Sequence, residues 1–277
     1  MATKKTASSA KKSTAKKPAP KTTKTNVTTV KAVSATKPVK KLSGFRLSRA
    51  PLLAAGIAEF IGTFLLAAVV LAAQGSPLVV GFALVAIVLA VGALSGAHVN
   101  PLITVGAWVT RKITGARALV YVVAQVLGAM LALVVLGYFV GQAPEVSAQA
   151  QMYGQTAAEL FTAAKLPEGK ELAVFAAELT GAIIFGFAVA SAMKLKDRLA
   201  SATAVGLGLF VALMVSSYAA SVISASTVVN PAVAVALQAI NFNSVWPFAI
   251  YVFGSLLGGI IGFVLNDVLQ VESDSAA

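Results

Sequence analysis

Two Asn-Pro pairs stand in otherwise apolar sequence: Asn100-Pro101 in "SGAHVNPLIT" and Asn230-Pro231 in "STVVNPAVAV". An Asn side chain has one acceptor oxygen and an NH₂ with two donors. Asn is a preferred helix N-cap, its oxygen taking a free backbone N–H. Pro suits the first helical position, because it has no N–H to leave unpaired and its φ is already set. Each pair therefore predicts a helix start whose Asn oxygen is spent on the cap and whose NH₂ still points away as a donor. Such donors can hold the acceptor oxygen of a small neutral solute. They make and break no covalent bonds. The chain has no Cys and one His, His98. Thiolate chemistry and His-rich metal sites are excluded, and no nucleophile–base pair is present. The residues predict no enzyme, no metal and no cofactor.

The elements that position these donors are membrane spans. Of 277 residues, 58% are hydrophobic and 12% charged, against about 25% charged in soluble domains. A spanning helix needs roughly 20 apolar residues. Six runs qualify, near 51–73, 78–95, 117–140, 172–193, 200–222 and 245–266. Small residues at four-residue spacing in "GAMLALVVLG" and "GSLLGGIIG" suit close helix packing. The segments Asn100 to Thr110 and Asn230 to Ile240 are too short to cross. As helices each would be about 16 Å long, half the hydrocarbon thickness.

The chain repeats itself. "AEFIGTFLLAAVV" matches "AELTGAIIFGFAV", pairing Glu59 with Glu178. "VNPLITV" matches "VNPAVAV", and "AQVLGAMLALVV" matches "GSLLGGIIGFVL", pairing Gly128 with Gly258. The last two offsets are both 130 residues (230 − 100 and 258 − 128). Three spans per half is an odd number, so the halves have opposite orientations. Broken helices at matching places in an inverted repeat mark a substrate path. The half-helices should meet tip to tip near the midplane, each carrying the positive end of a helix dipole. Exposed loop carbonyls before each tip are tolerable in a membrane only if they line a wet path.

The net charge of +12 belongs to an arm. Residues 1–49 hold 12 Lys, 2 Arg and no acid, leaving 8 basic and 10 acidic residues in the rest. Segment 1–48 has few large apolar residues and is expected to be disordered. It reads as a solvated tail that fixes topology, or as a contact for anionic lipid. Nucleic acid fits poorly, since only Phe45 could stack a base. Residues 49–267 form the six-span body, with repeat halves at about 51–140 and 172–266 joined by loop 141–171. Residues 268–277 form a short acidic tail. Arg111, Lys112 and Arg117, and Lys194, Lys196 and Arg198, mark two loops as cytoplasmic. Both termini then lie inside. Short loops point to a prokaryotic plasma membrane.

"AEFIGTF", "SGAHVNP", "AQVLGA" and the second "NPA" occur in order over residues 51–266. Together they resemble the major intrinsic protein family, the aquaporins and glycerol facilitators. The resemblance implies an all-α membrane protein with six transmembrane helices, two re-entrant half-helices and an inverted repeat. It further implies a homotetramer, with one passive pore per subunit for water or small neutral solutes. By position, Asn100 and Asn230 are the midplane donors, with Pro101, Leu102, Pro231 and Ala232 completing the motifs. Glu59 and Glu178 are the acids that support the two loops. His98 is the loop histidine, either shaping the loop or gating by protonation. The family's outer filter falls on Val80, 20 residues before Asn100, and on Tyr218, Thr227 and Val233, at −12, −3 and +3 from Asn230.

The chain departs from the family pattern in two main places. Leu102 replaces the usual Ala, and Val233 replaces the usual filter Arg; Ala234 also stands where glycerol-type members have Asp. A filter without a cation should be more apolar, and wider unless Tyr218 closes it. These departures leave a rival reading: a non-conducting scaffold of the same fold that presents the basic arm to anionic lipid or nucleic acid. A coupled transporter would need ionisable groups on its path, and only His98 and the two glutamates are available.

Overall fold

A computed structural model describes residues 51–241 and 244–275, with side chains to residue 270. The Lys-rich arm expected over 1–48 lies outside the described residues. Those that are described form an all-helical bundle without strands. Spans α1 (Pro51–Ala72) and α2 (Pro77–Ser95) precede half-helix α3 (Pro101–Val109) and span α4 (Gly115–Gly141). A short helix, α5 (Ala148–Met152), lies in the connecting loop. The second half repeats the order with α6 (Glu171–Ala192), α7 (Arg198–Ser221) and half-helix α8 (Pro231–Ala236). The last span joins α9 (Trp246–Phe248), a π-helical turn (Ala249–Gly254) and α10 (Ser255–Ser275). Six helices, including Trp246–Gln270 as one, are long and apolar enough to cross a membrane.

The span starts follow local chemistry. The Thr114 hydroxyl accepts from the Arg117 N–H, and the Asp197 carboxylate accepts from the Ala200 N–H at 2.7 Å. These caps start α4 and α7 two residues before the sequence expectation. Helix α10 runs to Ser275, through most of the segment read as an acidic tail, because no Gly or Pro follows Gly262 to stop it. Half-helix α8 ends four residues early, where Gln238 takes a positive φ of 55°.

The packing obeys the repeat. Span α1 lies on α4 as α6 lies on α10, and α2 on α7 closes the ring. The glycines at the matched positions make the first two contacts close. A Cβ on Gly128 would meet the Phe60 carbonyl oxygen at 2.3 Å, and one on Gly258 the Leu179 carbonyl oxygen at 2.8 Å. Small residues let backbones approach where the membrane supplies no hydrophobic drive between helices. The two basic loops lie together at one end of the bundle: Lys112 pairs with Asp267 at 2.6 Å, and Lys194 lies 3.9 Å from the same carboxylate.

Candidate functional site

Each half-helix is capped as its sequence requires. The Asn100 side-chain oxygen accepts from the Leu102 N–H at 2.9 Å. The Asn230 oxygen accepts from Ala232 at 3.0 Å and from Val233 at 3.3 Å. Their amide groups then cross between the halves. Asn100 Nδ2 donates to the Val229 carbonyl at 2.8 Å, and Asn230 Nδ2 donates to the Val99 carbonyl at 3.1 Å. Each tip thus holds the loop that precedes the other tip. The expectation that both NH₂ groups face the lumen is corrected in part. One N–H of each amide is spent across the repeat axis, leaving one per Asn.

The loops that reach the tips are strained and externally held. Val99 and Val229 have φ of 43° and 54°, rarely adopted by β-branched residues. Such conformations persist only where the surroundings over-determine them, and Glu59 and Glu178 do so here. Glu59 accepts from the His98 and Val99 N–H groups at 2.9 and 2.7 Å, from Ser95 Oγ at 2.6 Å and from Gln125 Nε2 at 2.8 Å. Glu178 accepts from the Val228 and Val229 N–H groups, both at 2.8 Å, and from Ser255 Oγ. The Val side chains rest on glycines. A Cβ on Gly62 would lie 2.5 Å from Val99 Cγ1, and one on Gly181 2.8 Å from Val229 Cγ2. Glu and Gly three residues apart therefore serve one loop in each half.

Several supporting residues escaped the motif reading. Gln125 and Ser255, one on each Glu, are 130 apart. So are Tyr121 and Tyr251, whose hydroxyls donate to the Ser95 and Ser226 carbonyls at 2.6 and 3.0 Å. Applying the 130-residue offset to every polar residue of the third span would have found all four. His98 is buried, with Nδ1 3.1 Å from Thr104 Oγ1 and its ring edge-on to Tyr121. This geometry fits the loop-shaping role.

Leu102 does not line the mouth cavity described below. It is fully buried, and its backbone and Cβ lie against Gly259 of α10. The repeat mate of Gly259, by the 130 offset, is Ala129, and that of Leu102 is Ala232. Bulk gained at one position is offset by bulk lost at the other.

A cavity of about 240 Å³ opens at the end of the bundle that carries loop 141–171. Asn230, Val233, Thr227 and Val80 line it, and none of the described side chains that line it is charged. Pro101, Pro231 and Ala232 are buried at the half-helix starts. Tyr218 is a correction. It is 74% exposed on the outer surface of α7, in line with Val211, Met214, Val215 and Val222, and does not line the cavity. Its neighbour Ser217 does, with Oγ 3.2 Å from Thr227 Oγ1. The fixed offset of 12 assumed a loop one residue shorter. One residue on a helix turns a side chain by about 100°, enough to move Tyr218 from the lumen to the outside.

Residues 46–266 match the family described as Major intrinsic protein. Over 108 residues the chain is 37% identical to glycerol uptake facilitator protein-like 6 of Lactiplantibacillus plantarum, covering 36% of this chain and 49% of that one. Over 103 residues it is 36% identical to aquaporin AqpM of Methanothermobacter marburgensis, covering 26% and 42%. The matches thus span less than half the length of these relatives. The fold is similar to the aquaglyceroporin of Plasmodium falciparum, with a TM-score of 0.61 at 19% identity, covering 82% of this chain and all of that one. The head-to-head half-helices, the six spans and the match over most of its length make this chain a member of the major intrinsic protein family, an integral multi-pass membrane protein of the aquaporin fold.

Proposed function

We propose that this chain is a passive transmembrane channel for water and small neutral solutes such as glycerol. The observation that carries the reading is the pair of cross-coupled Asn caps, with Asn230 at an uncharged cavity that opens to one end of the bundle. The remaining N–H of each Asn offers a fixed donor to a passing acceptor oxygen. Two helix N-termini facing each other make the same place hostile to cations. Val80, Ser217, Thr227 and Val233 form the outer filter. With Val233 in place of Arg, the filter offers hydroxyls on one side and apolar surface on the other. Solutes larger than water should be admitted.

The alternative, a non-conducting scaffold presenting a basic arm, drew on Leu102 and on the missing Arg. The packing of Leu102 against Gly259 weighs against the first of these supports. In the conducting reading the assembly is a homotetramer with one pathway per subunit, as the family resemblance implies. Both basic loops and the arm at 1–48 lie on the cytoplasmic side of a prokaryotic plasma membrane, where the arm meets anionic lipid.

Stopped-flow light scattering on proteoliposomes tests the channel. Water and glycerol permeabilities above those of empty vesicles are expected. Folded protein that raises neither would refute the proposal.

A further inference from the structure

We propose that Phe161, on the segment joining the repeat halves, sets the size limit at the mouth of the pathway; this rests on the channel reading above. The filter positions Val80, Thr227 and Val233 supply neither an aromatic ring nor a cation, and Tyr218 faces outward. Among the described residues, Phe161 is the one aromatic side chain lining the mouth cavity. It arrives from a loop without secondary structure, yet the loop is tied down on both sides. The Gln74 side chain donates to the Glu159 carbonyl at 3.4 Å, and the Phe161 N–H to the Leu71 carbonyl at 3.2 Å. Two residues on, the Ala163 N–H donates to the Leu237 carbonyl at 3.1 Å, and the Ala164 N–H to Ser226 Oγ at 3.0 Å. Segment 159–164 is therefore a strap from the end of α1, in the first half, to the loop and half-helix of the second.

The ring has a prepared seat. Gly75, in the α1–α2 turn, has a φ of 67°, and a Cβ there would lie 2.6 Å from Phe161 Cε1. Glycine at this point allows both the turn and the close approach of the ring. A ring seated on Gly75 and fixed by its own N–H cannot swing freely out of the mouth. It takes up cross-section in the same cavity that Asn230 and Val233 line. The aromatic that positional counting assigned to α7 is thus supplied by the strap.

The test is a permeability series on the full chain in proteoliposomes, using water, glycerol, and four- and five-carbon linear polyols. Phe161→Ala is expected to raise five-carbon polyol permeability severalfold relative to water. Phe161→Trp is expected to lower glycerol relative to water. Phe161→Leu keeps an apolar anchor for the strap and serves where Phe161→Ala folds poorly; it should raise five-carbon polyol permeability, relative to water, above wild type. Flux through wild type with the same size profile in Phe161→Ala and Phe161→Leu would overturn the role of Phe161 and leave the channel standing. No flux through folded wild type would overturn both.

Discussion

Glu59→Gln should cost more than Glu178→Gln, although the two acids are repeat mates. Glu59 Oε1 accepts from Ser95 and His98, and Oε2 accepts from Val99 and Gln125. A Gln amide has one acceptor oxygen, so either placement turns an NH₂ toward two donors. Glu178 differs: Oε1 accepts two bonds and Oε2 only that from Val228. Its Gln can put the NH₂ at the Oε2 side and strand one donor. An unsatisfied buried group costs about 1–3 kcal/mol. Two stranded donors make Glu59→Gln about 2–6 kcal/mol, against about 1–3 kcal/mol for Glu178→Gln. At about 2–4 °C per kcal/mol for chains of this size, Glu59→Gln should melt at least about 4 °C below wild type. Thermal unfolding of the purified protein in detergent measures this. Glu178→Gln melting as low as Glu59→Gln, or lower, would refute the donor count.

Gly62→Ala should lower the melting temperature, because its Cβ would meet Val99 Cγ1 at 2.5 Å in a loop that has no slack; overpacking of this kind costs about 1–3 kcal/mol, and the same thermal assay reads it. Val233→Arg places a cation one turn beyond Asn230, in the mouth cavity. It should lower glycerol permeability while water still passes, and stopped-flow with both solutes decides. Tyr218→Leu should leave the solute size profile unchanged, since the side chain lies outside the cavity; a shifted profile would return Tyr218 to the filter.

What could be read from the sequence was what local chemistry or the repeat determines. Asn is a preferred N-cap and Pro a preferred first helical residue, so both half-helix starts were legible to the residue. The glutamates were legible as a pair because each sits in a repeated stretch. Gln125 and Ser255 were not, since their chemical types differ and only the offset links them. Tyr218 failed for a geometric reason: helical direction turns by about 100° per residue, and loop length cannot be counted from a motif. Leu102 looked obstructive because the compensating Gly259 is distant in sequence and visible only in the packing of α3 on α10. Phe161 gave no signal, because a strap has no periodicity and is defined by backbone bonds to Leu71 and Leu237.

The proposed channel requires that the paired Asn tips border an open passive pathway. Its most direct test is the temperature dependence of osmotic water permeability in proteoliposomes carrying the full chain, set against empty vesicles. A permeability well above the empty bilayer, with a shallow temperature dependence, is the predicted result. Permeability no higher than empty vesicles, and as steep in temperature, with folded protein in the membrane, would contradict it.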